Sequence, residues 1–554
     1  MSEPARKLVI FADGTANAYG GSSTNVWRMY QALDTANQRG RYFRGVGTSS
    51  NRYLRAIDGA LGLGVPSTVR KAYRFLCWNY RPGDEIHLVG FSRGAFTVRT
   101  LAGMIAFQGL MPREIDGHAV TNEEMRRNTR GAWRAYRTQT APLTGWRRFS
   151  LATIGRPLIE TCSRFYRRMM GYKTHDQVET ARDQGAIAPG QVKIAFMGLY
   201  DTVEAYGLPV KELLAAFDQF LWPITFRNHK VAGCVQVVRH ALSLDDCRLT
   251  FHPVHCERKT PDQDIKEVWF AGSHADVGGG YPDDALAFQP LVWMADAAAL
   301  RFNEAEVAKW GKRLTPAALT HDSRSGAASF YRFAPRRIAA PGAEDAALPL
   351  LHPSVREKIH EGNDGYGPVS LYRSFAWEDG AAAPPLAPRA RDLAALQVIT
   401  DRCQLATLIL LLLSPQIGPW LAALLPWLPD PAIPGAAAIV KGTPFYLKPH
   451  VQVVVDHPVI IGLLLVLLVG LNRLAGWLGS AVQDEARVMW QPGLTLAPSP
   501  TRDRLVRLGA WLRARKTLRA AVRLGAAVAM PLLFFAGAWL MAKILLEMYW
   551  AAMS

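Results

Sequence analysis

Ser92 stands in Gly90-Phe91-Ser92-Arg93-Gly94, with a predicted strand before it (residues 85–89) and an apolar predicted helix after it (95–109). A serine hydroxyl is a weak nucleophile until a base takes its proton, and that base needs an acid to hold its tautomer. Two further residues fit these parts. Asp201 directly follows the run 192–200, in Tyr200-Asp201-Thr202-Val203, and His274 follows the run 267–273, in Gly272-Ser273-His274-Ala275-Asp276-Val277-Gly278-Gly279-Gly280. Together they would perform acyl transfer through a tetrahedral intermediate. The developing oxyanion needs two donors. The backbone N–H of Arg93, next after the serine, is one; Asp13-Gly14-Thr15 offers the other, because Gly14 lets the backbone approach closely. The plainer readings are that Ser92 only caps its helix and that Asp13 only closes a turn. Asp276 is an alternative acid, or a brace for the glycine-rich turn. His87 falls within a strand and His240 within a predicted helix, while His252, His255 and His352 fall in loops as fallback bases. Asp13 and Asp276 are too few carboxylates to specify a metal, so neither metal nor cofactor is expected.

These residues need a scaffold that brings distant segments together. Residues 8–13, 84–91, 192–201 and 267–273 read as buried strands ending in turn signals, and 69–80, 94–109 and 231–242 as helices. Apolar runs without polar alternation predict a mostly parallel sheet with helices on both faces, an α/β class whose sites gather at strand carboxyl ends. The chain order Ser, Asp, His is that of the α/β-hydrolase fold. The expected catalytic domain is 1–390. Its inserted cap or lid, 111–190, interleaves arginines (126, 127, 130, 134, 137, 147, 148, 156, 164, 167, 168) with Trp133, Tyr136, Trp146, Phe149, Phe165 and Tyr166. Those arginines either pair with nearby acids and water or rest on anionic lipid headgroups.

The remaining residues, 391–554, have a different character. Uncharged apolar runs at 403–429, 459–471 and 524–542 predict three spans, at about 404–428, 457–478 and 524–548. The second needs 474–478 with Arg473 snorkelling, and prolines 415, 419 and 426 leave the first open to being broken or re-entrant. Two or four spans are the alternatives. Lys441 and Lys448 lie between the first two runs. Arg487, Arg502, Arg504, Arg507, Arg513, Arg515, Lys516, Arg519 and Arg523 follow the second. Three spans with this bias place the catalytic domain and the basic segment in the cytoplasm, the protein being integral to the inner membrane. Leu505, Leu508, Trp511 and Leu512 give that segment an interfacial stripe.

Across all 554 residues, 64 lysines and arginines oppose 46 acids, a net charge of +18, with mean hydropathy +0.01. The split along the chain assigns much of that charge to a lipid bilayer, so no nucleic acid is expected. Six cysteines without a C-x-x-C pair exclude a zinc or disulfide framework. The run 8–12 is too short for a signal peptide.

Several ordered motifs carry a resemblance: Phe11-Ala-Asp-Gly-Thr-Ala-Asn17 with Thr24-Asn25-Val26, Gly90-Phe-Ser-Arg-Gly-Ala-Phe96 through Met104, Asp201-Thr-Val203, His240-Ala-Leu-Ser-Leu-Asp245, Val268 through Tyr281, and His352-Pro-Ser-Val355. Over about residues 5–375 the chain resembles the catalytic domain of type VI secretion phospholipase effectors. The resemblance implies an α/β-hydrolase with its triad on Ser92, Asp201 and His274, and lipase or phospholipase activity. The expected function is a membrane-associated serine esterase acting on phospholipid acyl esters, with export as an antibacterial effector left open. The alternatives are an anchored hydrolase of soluble esters or thioesters, and a non-catalytic membrane-acting effector. Immunity and chaperone partners are unassigned.

Overall fold

A computed structural model describes residues 5–14, 23–45, 64–142, 152–173, 177–178, 187–204, 230–325, 328, 331, 333–336, 338, 348–361, 365–371, 374–383, 388–429, 431–443, 448–490 and 494–515. The chain divides into two compact units: Met1–Phe330 with Pro335–Leu386, and Tyr331–Ala334 with Ala387–Ser554.

The first unit is built on β1 (Lys7–Ala12), α1 (Asn25–Ala32), β2 (Gln38–Phe43), α2 (Val65–Asn79), β3 (Glu85–Phe91), α3 (Arg93–Gln108), a small hairpin of β4 (Glu114–Ile115) and β5 (His118–Ala119), α4 (Asn122–Thr140) and α5 (Ala152–Met169). Then follow β6 (Ile194–Tyr200), β7 (Val235–Ser243), β8 (Asp264–Phe270), α6 (His274–Gly278), α7 (Phe288–Ala297), α8 (Glu304–Gly311), β9 (Leu350–Leu351), α9 (Pro353–Glu361) and β10 (Ala376–Trp377). Eight strands form one sheet in the order β10-β9-β8-β7-β6-β3-β1-β2, every pairing parallel.

Strand β1 shows why the alternation is absent. Leu8 and Ile10 join one buried cluster with α2, α3 and α4, while Val9 and Phe11 join another with α1 and α7. Both faces are covered, so both sets of alternate residues are apolar. The parallel arrangement puts the ends of β1, β3, β6, β7 and β8 on one edge, where the residues following each strand converge.

Two segments differ from the sequence expectation. Residues 231–242 do not form a helix: they contain most of β7, a central strand between β6 and β8. A short apolar run has the same pattern in a buried strand and a buried helix, and here Val235, Val237 and Val238 favour the strand. His240 is consequently a strand residue. Strand β2, which sequence alone did not indicate, is the polar Gln-Arg-Gly-Arg-Tyr-Phe on the sheet's edge.

In the insertion, α4 is part of the core, since Met125, Ala132 and Tyr136 pack with α2 and α3. It opens on a capping box, with Glu124 N–H donating to the Thr121 hydroxyl and Thr121 N–H to Glu124. The predicted Trp146, Arg147, Arg148 and Phe149 lie outside the described residues.

The second unit contains α10 (Pro388–Leu412), α11 (Ser414–Leu424), α12 (Ala436–Gly442), α13 (Lys448–Asp456), α14 (Pro458–Trp490) and α15 (Pro500–Ala514). Helices α10, α14 and α15 pack together, and Gly509 lets α15 approach so closely that a Cβ there would lie 2.2 Å from the Asp392 carbonyl oxygen. Arg389 joins them by ion pairs to Glu485 (2.9 Å) and Asp503 (2.7 Å). The run 403–429 is not one helix: α10 stops at Leu412 and α11 begins at Ser414. Pro415 has no N–H for the carbonyl four residues earlier, which interrupts the helix here and lets a new one start. Among the described residues one helix, α14, is long and apolar enough to cross a membrane, by length and composition. The predicted span at 524–548, with Lys516, Arg519 and Arg523, lies outside the described residues.

Candidate active site

The turn from β3 into α3 gives Ser92 φ +57°, ψ −123°, a left-side conformation costing roughly 1–3 kcal/mol for a residue with a side chain. Its glycines explain how the turn closes. A Cβ on Gly90 would sit 2.6 Å from the Gly94 carbonyl oxygen, and one on Gly94 would sit 2.0 Å from that of Ala12. The spacing therefore allows β3, α3 and the end of β1 to meet backbone to backbone. Ser92 N–H donates to the Tyr200 carbonyl at 2.9 Å, tying the turn to β6.

Ser92 Oγ lies 2.7 Å from His274 Nε2, and His274 Nδ1 lies 2.5 Å from Asp201 Oδ2. All three side chains are buried. The histidine ring is held between Phe91, centroid to centroid 4.7 Å, and the edge of Phe251 at 5.2 Å. Burial lowers the His274 pKa, and its bond to Asp201 opposes this without reversing it. The imidazole is therefore neutral at neutral pH, with Nδ1–H directed to Asp201 and Nε2 able to accept the serine proton.

Asp201 follows β6 with φ +39° and accepts three further hydrogen bonds. Ser243 N–H reaches Oδ1 at 3.1 Å, and the Arg336 guanidinium grips both oxygens at 2.8 Å each. Arg336 is itself 0% exposed and also donates from Nε to the Asp246 carbonyl. Burial alone would push the Asp201 carboxyl up; the Arg336 charge and the His274 bond outweigh it and hold it well below the usual carboxylate range. Sequence reasoning missed Arg336, one arginine within an Ala/Pro-rich stretch.

The other predicted residues divide between support and separate networks. The Asp276 carboxylate is engaged elsewhere: it accepts Ser273 N–H and Ser273 Oγ–H, bracing the turn into α6, and pairs with His321 at 2.6 Å. Asp13 accepts Gly14 N–H (2.7 Å), the Thr24 hydroxyl (2.6 Å) and the Tyr42 hydroxyl (2.6 Å). Gly14 does lie beside the serine, since a Cβ there would be 3.1 Å from Ser92 Cβ. Its N–H, however, is directed to Asp13. Arg93 opens α3, so its N–H is at a helix N-terminus one residue from Ser92. Thr15 lies outside the described residues.

Of the fallback histidines, His352 stacks on Phe270 and pairs with Ser354. His255 and His240 share Glu267, at 2.8 Å each. Cys256 completes a group with His240 and Glu267 at metal-like spacing. The hydrogen bonds argue for a different use. Thr202 N–H donates to His240 Nε2 at 3.1 Å, which leaves the ring proton on Nδ1, pointing at Glu267. That nitrogen offers no lone pair to a metal, and burial pushes the Cys256 thiol up to about 12. Instead, His240 holds the peptide directly after Asp201.

The glycine-rich motif meets the other motifs in space. Asn25 Nδ2 donates to the Val277 and Ala287 carbonyls, and a Cβ on Gly278 would lie 2.0 Å from the Phe91 ring. Residues 6–297, more than half of the chain, match the family described as the catalytic domain of Tle1-like phospholipase effectors of the type VI secretion system. An uncharacterized protein of Saccharomyces cerevisiae, YEL023C, is 27% identical over 267 residues, covering 45% of this chain and 32% of the yeast protein. The chain thus spans about a third of that relative's length. The crystal structure of an uncharacterized protein from Pseudomonas aeruginosa is similar at 15% identity with a TM-score of 0.32, covering 91% of this chain and 76% of the other. With the family matched from β1 through α7, the chain belongs to the Tle1-like phospholipase effectors of the type VI secretion system.

Proposed function

We propose that this protein is a membrane-associated phospholipase that cleaves phospholipid acyl esters by serine catalysis. The observation that carries the reading is the continuous relay from Ser92 Oγ through His274 to Asp201, at 2.7 and 2.5 Å. The family supplies the substrate class.

In this mechanism His274 Nε2 takes the Ser92 proton as Oγ attacks the acyl carbonyl carbon. The oxyanion forms at the amino end of α3, where the Arg93 N–H stabilises it. Gly14 N–H joins only by exchanging its bond with Asp13. His274 then gives the proton to the departing alcohol oxygen, releasing lysophospholipid and leaving the acyl group on Ser92. Water, deprotonated by the same nitrogen, attacks the acyl-enzyme and frees the fatty acid. Asp201 keeps Nδ1 protonated throughout and balances the transient imidazolium charge.

Membrane association is supported by α14, whose apolar side chains Leu463, Leu465, Val466, Leu467 and Val469 are exposed, and by the arginines that follow it.

The test is fatty-acid release from defined phospholipids by the detergent-purified chain. Ser92→Ala and His274→Ala should each lower the rate at least about 10³-fold. Unchanged release by Ser92→Ala would overturn the mechanism, and turnover confined to water-soluble esters would overturn the substrate assignment.

A further inference from the structure

Helix α5 is amphipathic in the reverse of the usual sense: its polar side packs against the protein. Arg134 of α4 donates to Glu160 at 2.8 Å and to Ser163 at 3.0 Å. Arg167, only 4% exposed, donates to the carbonyls of Arg127 and Lys173, and Arg156 donates to that of Ala141. The opposite side carries Ile154 (74% exposed), Leu158, Phe165 (70%) and Met169 (65%). At about 100° per residue these four fall within one narrow stripe, four turns long. A soluble domain normally turns such a stripe inward, and its arginines outward.

The charges beside the stripe indicate what covers it. Arg164 and Arg168 are exposed and project from one flank; on the neighbouring segments Arg130 is exposed, while Arg126 pairs with Glu123 and Lys173 with Asp116. The helix's one acid, Glu160, is held between Arg134 and Arg164. An apolar stripe bordered by cations is the pattern of a helix lying in the headgroup region of an anionic bilayer. We propose that α5 is a lipid-interface helix, which rests the Ser92-bearing unit on an anionic phospholipid surface through Ile154, Leu158, Phe165 and Met169, with Arg164 and Arg168 on the phosphates. This deepens the proposed function by giving that unit its own contact with the substrate's surface, separate from α14.

Cys162 lies beside this stripe and is exposed, so it can report locally. The full-length chain carrying Ser92→Ala, which prevents hydrolysis, and Cys403→Ser, which removes the other exposed cysteine, is labelled at Cys162 with an environment-sensitive fluorophore. It is then reconstituted into vesicles of phosphatidylcholine with or without phosphatidylglycerol. On the anionic vesicles the emission should shift to the blue, iodide should lose access, and shallow spin-labelled lipid should quench. Leu158→Ser with Phe165→Ser should abolish all three. Arg164→Gln with Arg168→Gln should shift the inserted-to-withdrawn equilibrium roughly thirtyfold toward withdrawal.

A label that stays accessible to iodide on anionic vesicles overturns the proposal, even when α14 retains the chain in the membrane. So does a blue shift that grows with protein concentration in the absence of vesicles, which would mark a self-association face, or an equal response on pure phosphatidylcholine. With Ser92 restored, Leu158→Ser/Phe165→Ser should slow hydrolysis of vesicle lipid while leaving a short soluble ester unaffected. Insertion without any hydrolysis by the Ser92 chain would refute the proposed function and leave the surface assignment standing.

Discussion

Arg336 is the residue on which the acid of the relay depends. It is fully buried and meets Asp201 in a two-bond fork, so removing it leaves a carboxylate charged, desolvated and short of donors. Arg336→Met should lower stability by about 3–5 kcal/mol, measured by urea denaturation. In the proposed mechanism Asp201 acts on His274 and not on the substrate, so in the fraction that folds kcat should fall with KM unchanged. Arg336→Lys should recover only part of the loss, since an ammonium cannot reproduce the fork. The second prediction at this scale concerns pH. The His274 pKa is held below its ordinary value of about 6.5, and the proposed mechanism needs the neutral ring. The acid limb of kcat/KM should therefore lie below pH 6.5, with activity rising with pH through that limb. A limb above pH 7 would contradict the burial described. Stability carries the same sign. The unfolded histidine binds a proton below about pH 6.5 that the folded one refuses, so stability falls as pH drops from 6.5 toward the folded pKa.

At the scale of elements, the crossing of α3 over the end of β1 fixes where Ser92 points. Gly94→Ala would place a methyl 2.0 Å from the Ala12 carbonyl oxygen, a clash between two backbones that no rotamer relieves. Its stability should fall by about 1–3 kcal/mol or more, and its labelling rate by a serine-directed phosphonate should fall with it. Gly311→Ala, on α8 with open space around it, should match the wild type in both measurements. The same elements explain what could be read without a structure. β1, β3 and β6 announce themselves because each is a short apolar run closed by a residue with chemistry: Asp13, Ser92 and Asp201. The strand β7 did not, because a central strand loses the alternation that separates it from a helix. Its misreading hid the Asp201 supports supplied by Ser243 and His240. Arg336 had no signal, since its partner lies 135 residues earlier and only the folded chain brings them together. Periodicity in α5 defines an apolar stripe but cannot say whether the stripe faces the body or the outside; that depends on Arg134 and Glu160 meeting across two helices.

At the scale of the molecule, the chain divides into two compact units, one holding the Ser92 site and the other the long apolar helix α14. Every side chain of the Ser92 relay and its supports lies in the first unit, while α14 lies in the second. In water, the exposed Leu463, Leu465, Val466, Leu467 and Val469 would form an apolar surface with no partner. Within a bilayer the same residues are matched by acyl chains. A charge placed among them distinguishes these environments, because an arginine near the middle of a span costs about 2.5–3.5 kcal/mol in lipid and almost nothing on a surface in water. Val466→Arg with Leu467→Arg should therefore shift the chain from the carbonate-resistant membrane fraction to the soluble one, while the turnover of a short soluble ester by the first unit stays at the wild-type rate. Full retention of the double variant would show that α14 alone does not hold the chain in the bilayer. Loss of ester turnover would mean that attachment and chemistry are coupled through the fold, and that the two units do not act separately.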